Sequence, residues 1–189
     1  MTTAPARIRV VQESEATGET AELYQRLREA FRVPLVPDVF KLASLRPDFL
    51  RVLTDGYESM FLRGVLPREV KETIATVVSQ TNACQYCTRA HSLFMTAFGV
   101  SQESAQAIES GDIDGAAVDE RYRGLLLLAA KVTQHAYKVT DEDIAALKSA
   151  GLSDEEVLEG VFVACMFNGI NRLADTFGLF ELMQLREAQ

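Results

Sequence analysis

Apolar residues recur along this chain at the three- and four-residue spacing of helices, and no strand-like alternation extends over a convincing length. In GETAELYQRLREAF, residues 18–31, Ala21, Tyr24, Leu27 and Phe31 fall on one stripe at helical spacing. The next stretch, VPLVPDVFKLASLRPDFL, is cut by Pro34, Pro37 and Pro47 into two short apolar pieces. A helix is predicted from about Asp48 to Leu62, stopped by Gly64. Pro67 then opens PREVKETIATVVSQT at a first-turn position, where its missing N–H does no harm. Asn82 interrupts that run, and a further helix is expected to carry Cys84 to Phe98 before Gly99 closes it.

Ser101 with Glu103 and Ser104 starts another helix, ended by SGDIDG at 110–115. ERYRGLLLLAAKVTQHAYK, residues 120–138, is long and apolar on most faces, so it is expected to be the central helix. Thr140 before Asp141, Glu142 and Asp143 is a helix-start signature, as is Ser153 before Asp154, Glu155 and Glu156. No linker rich in Gly, Pro or Ser divides the chain. The expectation is a single compact all-α domain over 1–189, with 1–36 a helical extension to a core of about 37–180. Glu69-Val70-Lys71-Glu72 is echoed by Glu156-Val157-Leu158-Glu159, each opening a helix that turns apolar. Such a short echo is weak support for internal duplication.

Composition narrows the function. The 189 residues suffice for one sizeable core. Nineteen Lys and Arg against 27 Asp and Glu leave a net charge of −8, which repels nucleic-acid backbones and anionic membranes. The N-terminal stretch has no apolar run of signal-peptide length, and LLLLAAKV at 125–132 is far too short to cross a bilayer. A cytoplasmic protein is expected. Its three cysteines, an odd number, then argue against a disulfide framework.

NACQYCTRAH, residues 82–91, carries the chemistry. On a helix, Cys84, Cys87 and His91 occupy positions i, i+3 and i+7 of one face, and a helix start favours thiolate over thiol. Gln85, Thr88 and Arg89 interleave polar residues with the thiols, so a partly wet redox site is expected. Zinc ligation stays open as an alternative, with Cys165 or Glu72 completing a ligand set. A buried, inert pair is the third reading.

Glu72 followed by Cys84-Gln85-Tyr86-Cys87 and His91 resembles the E…CxxCxxxH signature of the alkylhydroperoxidase (AhpD-like) branch of the carboxymuconolactone decarboxylase superfamily. LPREVKETIA before the thiols and FNGINRLADTFG at 167–178 resemble its peroxidase-related subgroup, and the similarity covers roughly residues 37–180. The resemblance implies a thiol-dependent peroxidase or disulfide reductase acting on hydroperoxides, without a cofactor or metal. It implies Cys87 as peroxidatic, Cys84 as resolving, and His91 with Glu72 as a proton relay. It also implies a dithiol reductant, lipoyl-bearing or thioredoxin-like, and a homo-oligomer, trimeric or hexameric. One departure stands out: the best-known members have a histidine where this chain has Tyr86. A phenol, with an ordinary pKa near ~10, is no base at neutral pH, which implies a slower or differently wired relay. Acid/base chemistry of the lactone-decarboxylase type, run by Glu72 and His91, is the alternative on the same scaffold.

Other residues are weighed individually. His135 has no motif around it and is expected at a cap or the surface. Cys165, with apolar neighbours on both sides in VFVACMFNG, is expected in the core. Asn168, Asn171 and Arg172 place polar groups on an apolar helix, to line the thiol pocket, join an interface or bond a helix junction. The Phe and Met residues at 60, 61, 94, 95 and 98 are expected to be core, some of them shaping an apolar entrance.

Overall fold

The computed structural model describes residues 6–180; residues 1–5 and 181–189, the ends of the expected domain, lie outside the described residues. Among the described residues nine α-helices follow one another: α1 Gly18–Phe31, α2 Asp38–Lys41, α3 Pro47–Phe61, α4 Arg68–Thr81, α5 Gln85–Ala97, α6 Gln102–Glu109, α7 Glu120–His135, α8 Asp141–Ser149 and α9 Asp154–Phe177. Short 3-10 turns occupy Glu13–Glu15 and Ala136–Lys138. Among the described residues there is no β-strand. The fold is all-α, as the hydrophobic spacing predicts.

The predicted start signals work as local chemistry requires. Ser101 accepts the Ser104 N–H at the head of α6. Thr140 and Asp143 form a reciprocal capping box at α8. Ser153 Oγ accepts the Glu156 N–H while the Glu156 carboxylate accepts the Ser153 N–H, so α9 begins with the same device.

By contact the chain forms two units: residues up to Arg63 together with those from Leu173 onward, and Gly64–Arg172. In the first, Leu23, Tyr24 and Leu27 of α1 and Leu50 and Tyr57 of α3 are buried where the two helices pack. Phe31 stacks on Tyr57 at 4.0 Å between ring centroids, and Phe40 meets both edge-on. The expected α1 stripe is rotated slightly: Thr20 and Leu23 are buried, while Ala21 and Phe31 are only half-buried.

The second unit is built around α4, which packs on α5, α6 and α7. Ten successive residues, Val70 to Ser79, are buried. The expectation that 120–138 is central is therefore corrected: α7 buries one face, and its continuation to Tyr137 and Lys138 is exposed. The apolar count misled because α4 buries polar residues that each find a partner. Thr73 and Thr76 hydroxyls donate to the carbonyls of Glu69 and Glu72. Lys71, almost wholly buried, pairs with Glu159 of α9. Satisfied in this way, such groups sit in a core without the desolvation penalty of unpaired ones.

Glu159 also ties down the turn before α4. Its Oε2 accepts the N–H groups of Val65 and Leu66 at 2.7 and 3.0 Å. Gly64, at φ 92°, is needed there twice over, since that conformation suits glycine and a Cβ would collide with the Glu159 carboxylate. Burial alone would push the Glu159 carboxyl up, but Lys71 and the two N–H groups outweigh it and hold it below its ordinary 4.5. A depressed carboxyl adds stability above its unfolded value and loses it as pH falls through the folded one. Glu159→Gln is expected to destabilise the protein at neutral pH. The gap from wild type should narrow below about pH 4.5, as urea unfolding at a series of pH values will show.

Candidate active site

The site begins where α4 stops. Asn82 caps α4, and Ala83 then adopts the left-handed conformation at φ 58°. The Ala83 N–H bonds Gln80 O and the Cys84 N–H bonds Ser79 O, both at 2.9 Å. This is a Schellman ending with alanine where glycine is usual. It reverses the chain so that Cys84 becomes the N-cap of α5, and the Cys84 carbonyl accepts the Thr88 N–H at 3.0 Å.

Two expectations are corrected here. Cys84 is extended and stands before the helix rather than within it, because its N–H is committed to the α4 ending. Both thiols are buried, at 0% and 2% exposure, so the site is not partly wet. The polar residues that suggested water lie on the other face of α5: Gln85 and Arg89, four apart, are exposed, while Cys87 and Met95 point inward with His91 half-buried between them. Cys84 and Cys87 are present as thiols, with Cys87 in the first turn of α5.

His91 follows Cys87 by four residues, the spacing that makes side chains neighbours on a helix face. Its Nδ1 lies 2.6 Å from Oε2 of Glu72, whose side chain is fully buried. The sequence could not establish that closeness, because the two stand on different helices. The imidazole also packs edge-on against Phe167 of α9 at 4.6 Å and near Phe94 at 5.8 Å. Where Glu72 is ionised it can only accept, and the proton of this bond then sits on Nδ1. Sequence reasoning missed Arg68, whose Nε donates to the other oxygen, Glu72 Oε1, at 2.6 Å. The signal was there: Arg68 precedes Glu72 by four residues, the helical ion-pair spacing. Carboxylate and imidazole thus form the pairing that orients a base, one helical turn along α5 from Cys87.

Known proteins resemble the chain in sequence over part of its length and in fold over most of it. Residues 47–118 match the carboxymuconolactone decarboxylase family. A crystal structure described as an alkylhydroperoxidase AhpD core, an uncharacterized peroxidase-related protein from Ralstonia eutropha JMP134, superimposes with a TM-score of 0.85. It shares 26% identity over 94% of this chain and 93% of that one. The chain thus has an AhpD-like fold, with a carboxymuconolactone decarboxylase family match over residues 47–118. An uncharacterized peroxidase-related protein from Silicibacter sp. TM1040 gives a TM-score of 0.82 at 26% identity, over 92% and 90% of the two chains. The debrominase Bmp8, solved alone and as a cysteine-to-alanine variant with 2,3,4-tribromopyrrole, shares the fold at TM-score 0.75 and 18% identity, over 93% and 90%. No curated protein matches the chain.

In this AhpD-like chain the asparagines bond a helix junction. Asn82 Nδ2 donates to Asn168 Oδ1 at 3.1 Å and Asn171 Oδ1 at 3.0 Å. Asn171 Nδ2 donates to Ser79 Oγ, and Asn168 Nδ2 to Thr133 Oγ1 of α7. Arg172 is exposed and donates to Asn168 O and Oδ1. Tyr86 is buried beside Cys87 in sequence, as a packing aromatic is. His135 is exposed against Tyr137, as expected. Cys165 is not core: it is exposed on α9, because Val163, Ala164 and Phe167 take the inward face. Phe98 is exposed rather than core, under the Arg68 guanidinium at 4.8 Å. Met60, Phe61 and Met95 are buried as expected. No group of three or more His, Cys, Asp or Glu side chains among the described residues is placed to hold a metal ion.

The exposed Ala83 offers a test of the turn that presents Cys84. A left-handed alanine costs roughly 1–2 kcal/mol and glycine relieves it, less the entropy that glycine loses on folding. Ala83→Gly is therefore expected to stabilise the protein by about 0.5–1 kcal/mol in urea unfolding. No gain would mean that the turn is not strained.

Proposed function

We propose that the protein is a thiol-dependent peroxidase that reduces hydroperoxides through a Cys84–Cys87 dithiol–disulfide couple. The observation that carries this reading is the 2.6 Å contact between His91 and the buried Glu72, with His91 one turn beyond Cys87. The AhpD-like fold and the names of the two 26%-identical neighbours support it.

Cys87 gives its proton to His91, and the thiolate attacks one peroxide oxygen. An S–O bond forms, the O–O bond breaks, and the departing alkoxide takes the proton back from the imidazolium as an alcohol. Cys87 is now a sulfenic acid, oxidised by two electrons. The Cys84 sulfur attacks it, forming S–S and breaking S–OH, and water leaves. A dithiol reductant, on a lipoyl-bearing or thioredoxin-like protein, restores both thiols and becomes a disulfide itself. Both sulfurs are buried, so this exchange uses a local opening of the first turn of α5, where the exposed Ala83 and Gln85 flank Cys84. The protein works in the cytoplasm as a homo-oligomer, a trimer or hexamer of one AhpD-like domain per chain.

The test is peroxide-dependent oxidation of a dithiol donor by wild type and single variants. Cys87→Ser is expected to abolish turnover, and Cys84→Ser to stop it at the sulfenic acid. His91→Ala should lower the rate by roughly 10²–10⁴-fold. Peroxide that leaves both thiols titratable in wild type would remove the peroxidase reading. Activity toward a small lactone that survives the double Cys→Ser change would assign acid/base chemistry to Glu72 and His91.

A further inference from the structure

Arg68 stands one turn before Glu72 on α4 and is mostly buried, its side chain 17% exposed. Its Nε donates to Glu72 Oε1 at 2.6 Å, and its guanidinium lies over the Phe98 ring at 4.8 Å. A planar guanidinium with one edge on a carboxylate and one face on an aromatic ring has little freedom left. The Glu72 carboxylate is therefore held from both ends, by Arg68 on Oε1 and by His91 on Oε2.

This matters because a carboxyl group has two ways to meet an imidazole. Held as an anion it can only accept, which fixes the imidazole proton on Nδ1 and the lone pair on Nε2. Rotated, or left without its cation in a dry site, it no longer dictates which nitrogen carries the proton. A general base must have both its protonation site and its ring orientation fixed by the group behind it. Solvent does not do this work, since the Glu72 side chain is fully buried.

We propose that Arg68 is a positioning residue: by occupying Oε1 of Glu72 it reserves Oε2 for the His91 Nδ1–H and so keeps His91 in the tautomer whose Nε2 is basic. Phe98 is the platform that holds Arg68 in place. The proposal rests on the peroxidase reading for its purpose, but the tautomer can be measured without any turnover.

The chain has two histidines, His91 and the exposed His135, so the ring nitrogens of His91 can be assigned in ¹⁵N-labelled protein against a His135→Gln variant. In wild type the His91 spectrum should show the Nδ1–H form. Arg68→Gln should move it toward the Nε2–H form that histidine favours in water. It should also slow alkylation of Cys87 by iodoacetamide on the order of 10-fold, the usual scale for losing such a supporting partner. Arg68→Lys keeps the charge and should recover part of both. Phe98→Ala removes only an exposed ring and should shift both in the same direction by less, which keeps the question answerable if Arg68→Gln does not fold. An unchanged His91 spectrum and unchanged alkylation in folded Arg68→Gln would overturn the proposal. A tautomer shift in a protein that does not turn over peroxide would leave Arg68 as assigned and remove the peroxidase reading instead.

Discussion

A fully buried carboxylate sets the terms for the rest of the second unit. Taking an ion the size of Glu72 out of water costs several kcal/mol even after relaxation, and only close, well-aligned partners return it. Glu72 has two such partners, each at 2.6 Å: Arg68 from its own helix and His91 from the next. The first bond demands a register of four residues along α4. The second demands that α5 lie against α4 with His91 at the level of Glu72. A single charge therefore constrains one helix internally and fixes its neighbour's sliding position, which hydrophobic packing alone specifies poorly.

The same logic repeats at the other end of α4. Ser79 and Asn82 bond Asn171 and Asn168 of α9, and Asn168 reaches Thr133 of α7. A buried amide left unpaired costs about 1–3 kcal/mol, so slippage of α9 by one residue is resisted by several groups at once. What that network encloses is the turn that delivers Cys84. Between the two polar anchors, Ile74, Ala75, Val77 and Val78 are fully or nearly fully buried. Packing supplies the stability of this stretch, and the polar groups at its ends supply its register. α9 shows the difference clearly. It is the one described helix long and apolar enough by composition to span a bilayer, yet Asn168 and Asn171 are bonded to other helices, as suits a helix of a protein core.

Most of the element boundaries were legible from local chemistry. Capping residues announce themselves: Ser101, Thr140 and Ser153 begin α6, α8 and α9 because their side chains satisfy first-turn N–H groups, whatever the tertiary context. Burial was less legible. LLLLAAKV advertises a central helix, whereas α4, with Lys71, Glu72, Thr73, Thr76 and Ser79, reads as half-polar and is the one that is surrounded. Hydropathy cannot see that a polar side chain will be paired. Cys165 is the converse case, an apolar context on a face that the fold leaves outside. Of the candidate site, the thiols, His91 and Glu72 were legible from residue type and spacing. Their burial was not, since it depends on which helix lies opposite; the Arg68–Glu72 pair stood at helical spacing, but its link to His91 crosses between helices.

Burial of the sulfurs also changes what the relay must accomplish. In water a thiol is ionised by solvent and buffer; at 0% and 2% exposure neither is at hand. In the proposed relay the proton therefore passes to a group inside the fold, and His91, bonded to Glu72, is the acceptor it would use. The AhpD-like fold also carries a neighbour named as a debrominase, so the helices alone do not select a reaction. In the proposed reaction, selection lies in what reaches the buried sulfur and in how firmly the imidazole one turn along α5 is held. The imidazole is held from the first turns of α4, while the sulfurs come from the turn that ends α4 and opens α5.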